Sequence, residues 1–167
     1  MADEIRQVDY YYVTVPDKPG EGVRILAALH QAGINLLGFC AFPQGARKSQ
    51  LDFLPEDGAA FTTAAKKAGL TLSKKKRGFL IQGDDRPGVL AEVLGKLAKA
   101  GINVTAVQAA CAGSGRYGGL LWVKQPDLRK AARALGISKP TVGTPSDIVD
   151  EASKESFPAS DAPAWNL

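Results

Sequence analysis

A tetrapeptide and a tripeptide each occur twice in this chain at one fixed offset. Asp17-Lys18-Pro19-Gly20 returns as Asp85-Arg86-Pro87-Gly88, and Gly33-Ile34-Asn35 returns as Gly101-Ile102-Asn103, in both cases 68 residues later. A constant internal period marks a repeated structural unit. In 167 residues it predicts two small units rather than one domain of ordinary size. The expected boundaries are 1–75 for the first unit and 76–143 for the second, with 144–167 as a tail with room for one short helix.

Each unit opens on strand-forming residues, Tyr10-Tyr11-Tyr12-Val13-Thr14-Val15 and Gly78-Phe79-Leu80-Ile81-Gln82-Gly83. The Asp-x-Pro-Gly turn follows and reads as a strand-to-helix junction. An Asp side chain can cap the free amides of a helix, and Pro presets φ near the helical value, so Asp85 and Asp17 are expected as caps. Val89, Leu90, Val93, Leu94 and Leu97 then fall on one helical face, matched in the first unit by Ile25, Leu26 and Leu29. Gly33 and Gly101 stand where a left-handed helix stop is needed. The apolar runs 34–42 and 102–111 after them are strands that turn, at 44–47 and 112–116, into Leu51-Asp52-Phe53-Leu54 and Leu120-Leu121-Trp122-Val123.

Asp57 and Asp127 are placed to cap second helices, with apolar faces at Phe61, Ala64, Ala65 and Ala68 and at Leu128, Ala131, Ala132 and Leu135. Leu70-Thr71-Leu72 and Pro140-Thr141-Val142 complete the pattern as short final strands. The predicted fold class is α+β: two ferredoxin-like βαββαβ sandwiches, each an antiparallel sheet with two helices on one face. Beyond Gly143 the Ser, Ala, Pro and Asp content suits a tail with little core, Trp165 being its one large aromatic after Phe157.

The ordered strand, Asp-x-Pro-Gly turn, amphipathic helix, Gly-Ile-Asn and strand, present in two copies, resembles the ACT domain. That is the small-molecule sensing module attached to amino-acid biosynthetic enzymes such as aspartate kinase and phosphoglycerate dehydrogenase. The resemblance covers 9–142 and implies a tandem of regulatory units that bind an amino acid or similar effector at an interface between paired units, often within a continuous eight-stranded sheet. It implies ligand contacts at the turn and post-helix positions: Asp85, Pro87, Gly88, Val89, Leu90 and Asn103 in the second copy, and Asp17, Pro19, Gly20 and Asn35 in the first.

The same positions have a chemical reason. A helix that starts just after a glycine presents backbone N–H groups and a partial positive charge to a carboxylate. The Asn35 and Asn103 amides both donate and accept, as a zwitterion requires. The copies differ where Val89-Leu90 of the second is Glu21-Gly22 in the first. A carboxylate there repels an anionic ligand, so the second copy is the expected effector site, with the first binding something different or acting as scaffold.

Catalytic patterns lack their contexts. Gly113-Ser114-Gly115-Arg116-Tyr117-Gly118 has the letters of a dinucleotide fingerprint but precedes a strand rather than a helix, so it reads as a hairpin. His30 is the only histidine and reads as a partly buried helix residue. Asp84 and Asp85 are consecutive, so their side chains are expected to point apart. No catalytic residue, cofactor or metal ligand is assigned, and a non-enzymatic protein is expected.

Two other functions share this topology. The RNA-recognition fold has the same βαββαβ order, but Leu120, Leu121 and Asp52 stand where stacking rings are wanted. An interaction subunit docking on a metabolic enzyme would need no effector, and the sheet edges of small units favour pairing, so a homodimer is expected. The formal charge of +4 is concentrated at Lys74-Lys75-Lys76-Arg77, which reads as a solvated connector rather than a nucleic-acid patch. No apolar run is long enough to span a membrane and no signal segment follows Met1. Cys40 and Cys111 are not related by the repeat and imply no disulfide, so the expected setting is the cytoplasm.

Overall fold

A computed structural model describes residues 3–137. Their elements run β1 (Glu4–Pro16), α1 (Glu21–Gln31), β2 (Leu36–Pro43), β3 (Lys48–Pro55), α2 (Gly58–Lys67), β4 (Lys76–Asp84), α3 (Val89–Lys99), β5 (Val104–Gly113), β6 (Arg116–Val123), one turn of 3₁₀ helix (Gln125–Asp127) and α4 (Leu128–Ala134). The six strands form one sheet in the order β2-β3-β1-β4-β6-β5, antiparallel at every pairing. The fold is α+β, with four α-helices over that sheet among the described residues.

The halves meet along β1 and β4, from Glu4 opposite Gln82 to Tyr10 opposite Lys76. In this register Asp9 lies opposite Arg77, its own counterpart 68 residues on, and the two side chains form an ion pair at 3.3 Å. A second pair of repeat counterparts also touches: the Cys40 thiol donates to Gln108 Oε1 at 3.0 Å. Residues that contact their own equivalents lie on a twofold axis, so the sequence period becomes a rotational relation between halves.

Strand parity sorts the side chains into three cores. Ile25 and Leu29 of α1 and Phe61 of α2 pack on Val13, Leu51 and Phe53. Val93 and Leu97 of α3 and Ala131 of α4 pack on Phe79, Ile81 and Leu121. The opposite, helix-free face is also buried: Val8, Tyr10, Leu54, Leu80, Leu120 and Trp122 form the third cluster. The contact between Cys40 of β2 and Gln108 of β5, from the two outer strands, shows how: the sheet curls until its edge strands approach. Each fully buried Ile, Leu or Phe contributes roughly 1.5–3 kcal/mol of transfer free energy. The curl leaves little room at Gly38, where an added Cβ would lie 2.9 Å from Leu120 Cδ1.

Several expectations are corrected. Leu70-Thr71-Leu72 is irregular rather than a strand, although Ser73 N donates to Tyr12 O at 2.8 Å and holds the segment in line with β4. That line replaces the separate final strand of the first unit, and the described residues form six strands. Pro140-Thr141-Val142, the tail and Trp165 lie outside the described residues. β1 begins at Glu4, six residues before the expected Tyr10, because pairing with β4 stabilises a stretch whose own pattern is mostly polar. β4 begins at Lys76, so Lys76 and Arg77 are strand residues rather than connector: Lys76 Nζ lies 5.2 Å from the Tyr12 ring centre and Arg77 pairs with Asp9. His30 is exposed in the last turn of α1 rather than partly buried.

One polar cluster lies within the helix-free face. Gln50 and Asp52 are fully buried; Gln50 Nε2 donates to Asp52 Oδ1 at 2.8 Å, and Gln44 Nε2 donates to Gln50 Oε1 at 3.0 Å. Asp52 Oδ2 has no hydrogen-bond partner. Burial pushes the Asp52 carboxyl up to about 6, against the lowering effects of the Gln50 bond and the Lys76 charge. Burial, then the charge of Asp52, pushes the Cys40 thiol up to about 11.

A raised carboxyl pKa means that the folded state holds the proton more tightly than the unfolded chain. The contribution to stability is therefore most favourable below the unfolded value and falls as pH rises through the folded value near 6. Asp52→Asn keeps the shape without the charge. In denaturant unfolding, the stability of Asp52→Asn relative to wild type should rise by about 2–3 kcal/mol between pH 4 and pH 8. A difference independent of pH would refute a buried, proton-linked Asp52.

Candidate functional site

The two Asp-x-Pro-Gly turns have nearly the same backbone. Gly20 and Gly88 are the N-cap residues of α1 and α3, with φ +96° and +85°, a region that a side chain makes costly. Neither helix start has a side-chain cap. Asp17 and Asp85 therefore do not cap, contrary to the sequence expectation. The left-handed glycine turns the chain between the Asp and the helix, and the carboxylates face the neighbouring strands instead. Ser49 Oγ donates to Asp17 Oδ1 at 2.8 Å, and Cys111 Sγ donates to Asp85 Oδ2 at 3.2 Å. The backbone repeats the arrangement: Asp17 N donates to Arg47 O and Asp85 N to Gly115 O, both at 2.8 Å, tying each turn to the hairpin of its own half.

Asp57 does cap, accepting from the amides of Ala59 and Ala60 at 2.9 and 3.0 Å. Asp127 does not, because the 3₁₀ turn at Gln125–Asp127 leads directly into α4. Asp84 and Asp85 point apart as expected, Asp84 accepting from Arg116 at 2.8 Å.

Asn35 and Asn103 are not beside the turn of their own half. The helix between Gly20 and Asn35 has 11 residues, about 16 Å of rise, and so separates them by the length of the unit. Asn35 braces the β3–α2 junction, Nδ2 donating to Glu56 Oε2 at 3.0 Å. Asn103 is exposed. Because β1 and β4 are antiparallel, the Asp85–Gly88 turn stands at the same end of the sheet as Asn35, and the Asp17–Gly20 turn at the end of Asn103.

The turns differ in what lies under them. In the second, Val89 is buried, Leu90 packs against the core, and Arg86 is held by Glu92 in a two-pronged pair, with Asp3 at 3.6 Å. The Arg86 guanidinium keeps the Glu92 carboxyl below its usual range. In the first, Gly22 occupies the Leu90 position, and a cavity of about 170 Å³ opens against Phe39, Ala41 and Leu51, with Lys18, Glu21 and Ser49 at its polar rim. Glu21 is already paired with Arg24 at 2.9 Å and lies 3.9 Å from Lys18. The sequence reading set the Glu21 carboxylate against an anionic ligand; its i,i+3 neighbour Arg24 was the signal that a cation stands beside it.

The remaining candidates are structural. Gly113 to Gly118 spans the β5–β6 hairpin rather than a nucleotide loop. Phe79, Tyr117 and Trp122 are buried, so these strands offer no rings for base stacking. No group of three or more His, Cys, Asp or Glu residues suited to a metal occurs among the described residues, and none of their helices is long and apolar enough to cross a membrane.

Comparison with known proteins bears on the second half above all. Residues 79–136 match the ACT domain family. A search of curated proteins returned no match. Among solved structures, a protein from Bacteroides thetaiotaomicron aligns with a TM-score of 0.68 at 19% identity, covering 78% of this chain and 88% of its own. The ligand-free regulatory subunit of aspartate kinase from Thermus thermophilus aligns at 0.53 and 18% identity, covering 80% of this chain and 93% of its own. That from Thermus flavus gives 0.51 and 20%, covering 80% and 93%. At such identities the likeness is one of fold. The ACT match is thus confined to 79–136, and the regulatory subunits share the fold of the described chain.

The capping assignment has a direct check. Asp57→Ala should cost about 1 kcal/mol of unfolding free energy, the usual loss for an N-cap. Asp85→Ala should cost distinctly less, since it removes only a thiol contact at an exposed site. Equal losses in chemical denaturation would restore Asp85 as a cap.

Proposed function

We propose that the chain is a non-catalytic regulatory protein built of two ACT-like units, 1–75 and 76–143, that senses an amino acid. The observation that carries this reading is the cavity under an uncapped helix start in the first half, at the turn equivalent to that of the matched ACT domain. A zwitterion has complementary partners there. The α1 N-terminal amides and Lys18 suit a carboxylate, Glu21 an ammonium group, and the apolar floor of Phe39, Ala41 and Leu51 a side chain. Gly88 and Leu90 form the equivalent turn with its floor filled, which favours the first copy over the second. A ligand there would regulate by preferring one arrangement of the units over another, and an amino-acid biosynthetic enzyme, as in the aspartate kinase relatives, is the partner class we favour.

Thermal unfolding against the twenty amino acids tests it. An effector at 100 times its Kd should add about 2.7 kcal/mol to stability. Gly22→Leu, which restores the side chain of the second copy, should abolish that shift. A panel with no stabilising amino acid would overturn the sensing role, and a shift that survives Gly22→Leu would overturn this site.

An observation also favours pairing of whole chains. β5 is an outer strand with no charged residue from Val104 to Gly113, and Val107 is 41% exposed. Such an edge invites a second strand, and an antiparallel match with a second copy satisfies it symmetrically. Sedimentation should show a dimer that Val107→Lys converts to monomer; a monomeric wild type would rule this pairing out.

A further inference from the structure

The helix-free face holds a second cavity, unrelated to either turn. It has a volume of about 180 Å³ and lies over the second half, walled by Leu37 of β2 and lined by Leu80, Leu120, Gln82, Gln108 and Gly118. No ionisable residue lines it. Its polar side chains are those of Gln82 and Gln108, and the Cys40 thiol donates to Gln108 Oε1, which holds one of them.

The rotational relation between the halves indicates what this space is shaped for. In the second half Gln82, Gly118 and Ala110 form one cross-strand row, and Leu80, Leu120 and Gln108 the next. In the first half the equivalent rows are Thr14, Gln50 and Phe42, then Tyr12, Asp52 and Cys40. Gly118 therefore stands where the first half has Gln50. That side chain is fully buried and its carboxamide is satisfied on both sides, donating to Asp52 and accepting from Gln44. The first half fills its own space with a carboxamide on a short aliphatic stem, and the second half leaves the corresponding space open.

We propose that this cavity is a binding site for a small neutral primary carboxamide, which takes the place that the Gln50 side chain holds in the first half. Its carbonyl accepts from Gln108 Nε2, its amide donates to Gln82 Oε1, and its aliphatic stem lies on Leu80 and Leu120. A cavity of about 150 Å³ admits a benzene-sized molecule, so the volume suits a ligand of this class. An acid or amine of the same shape would find no counter-charge among the lining residues. The proposal does not depend on effector sensing at the first turn.

The test uses the full chain with propionamide, and with propionate and propylammonium as charged isosteres. Propionamide should raise the wild-type melting temperature saturably, and the charged isosteres should not. Gly118→Gln supplies the missing side chain; a Cβ at Gly118 would meet nothing nearer than Ile81 O at 3.9 Å, and its φ is not in the left-handed region. This variant should melt no lower than wild type and give no propionamide shift. Gln108→Leu should weaken propionamide about fivefold, the loss of one neutral hydrogen bond, and gives a second readout should Gly118→Gln fold poorly. Gly22→Leu should leave the propionamide response intact. Absence of a wild-type response, equal response to the charged isosteres, or an undiminished response in Gln108→Leu or in folded Gly118→Gln would each overturn the site. Amino-acid sensing lost in Gly22→Leu would stand in any of those cases.

Discussion

The antiparallel pairing of β1 with β4 is the constraint on which the rest of this structure depends. Its register places Asp9 against Arg77, and that alignment fixes where every repeated element of the second half falls relative to the first. Because the pairing is antiparallel, the two helix starts point to opposite ends of the sheet. Because the sheet curls, its helix-free face becomes a third core, joined across the outer strands by Cys40 and Gln108. Moving the register by one residue would exchange the helix-facing and inner sets along β1, leaving Tyr10 under the helices and Val13 inside the curl.

Within that frame the halves differ in having a large side chain against a glycine at complementary places. The first half has Gly22 where the second has Leu90, and the second has Gly118 where the first has Gln50. Each glycine opens space at a point where its counterpart is packed, one beneath a helix and one inside the curl. The filled inner space has an energetic cost: Asp52 is shut in with one oxygen unbonded, the arrangement that raises its affinity for a proton. The two halves share one strand register, and differences at single positions make them unequal.

Much of the local structure was legible in the sequence because it depends on neighbours in the chain. The apolar spacing of Val89, Val93 and Leu97, the helix stops at Gly33 and Gly101, the Asp57 cap and the hairpin at Gly113–Arg116 all follow from residues a few positions apart. What was not legible depends on the partner half. Glu4 to Asp9 has no strand-like apolar alternation, and only its place beside β4 makes it a strand. Lys76 and Arg77 look like solvated charge until Tyr12 and Asp9 are found beside them. Asp17 and Asp85 looked like caps because the spacing allowed it; the left-handed glycine diverts them toward Ser49 and Cys111. At the candidate site the sequence identified the turns, but the exchange of Gly22 for Leu90 became a cavity only once Phe39 and Leu51 stood behind it.

β1 is 13 residues long and belongs to both halves: its last part pairs with β3, and its first part pairs with β4 along the flank of the second half. Cutting the chain between the repeats would strip each piece of a neighbour it uses, so the repeats are not separable beads. Forming this seam requires contacts between residues some 66 to 78 positions apart, a long loop to close before any reward is collected. The first strand synthesised must therefore wait for β4 before its earliest residues are ordered. The two halves are then interlocked, because the strand that pairs with β4 in its first part runs on without a break to the turn at Asp17.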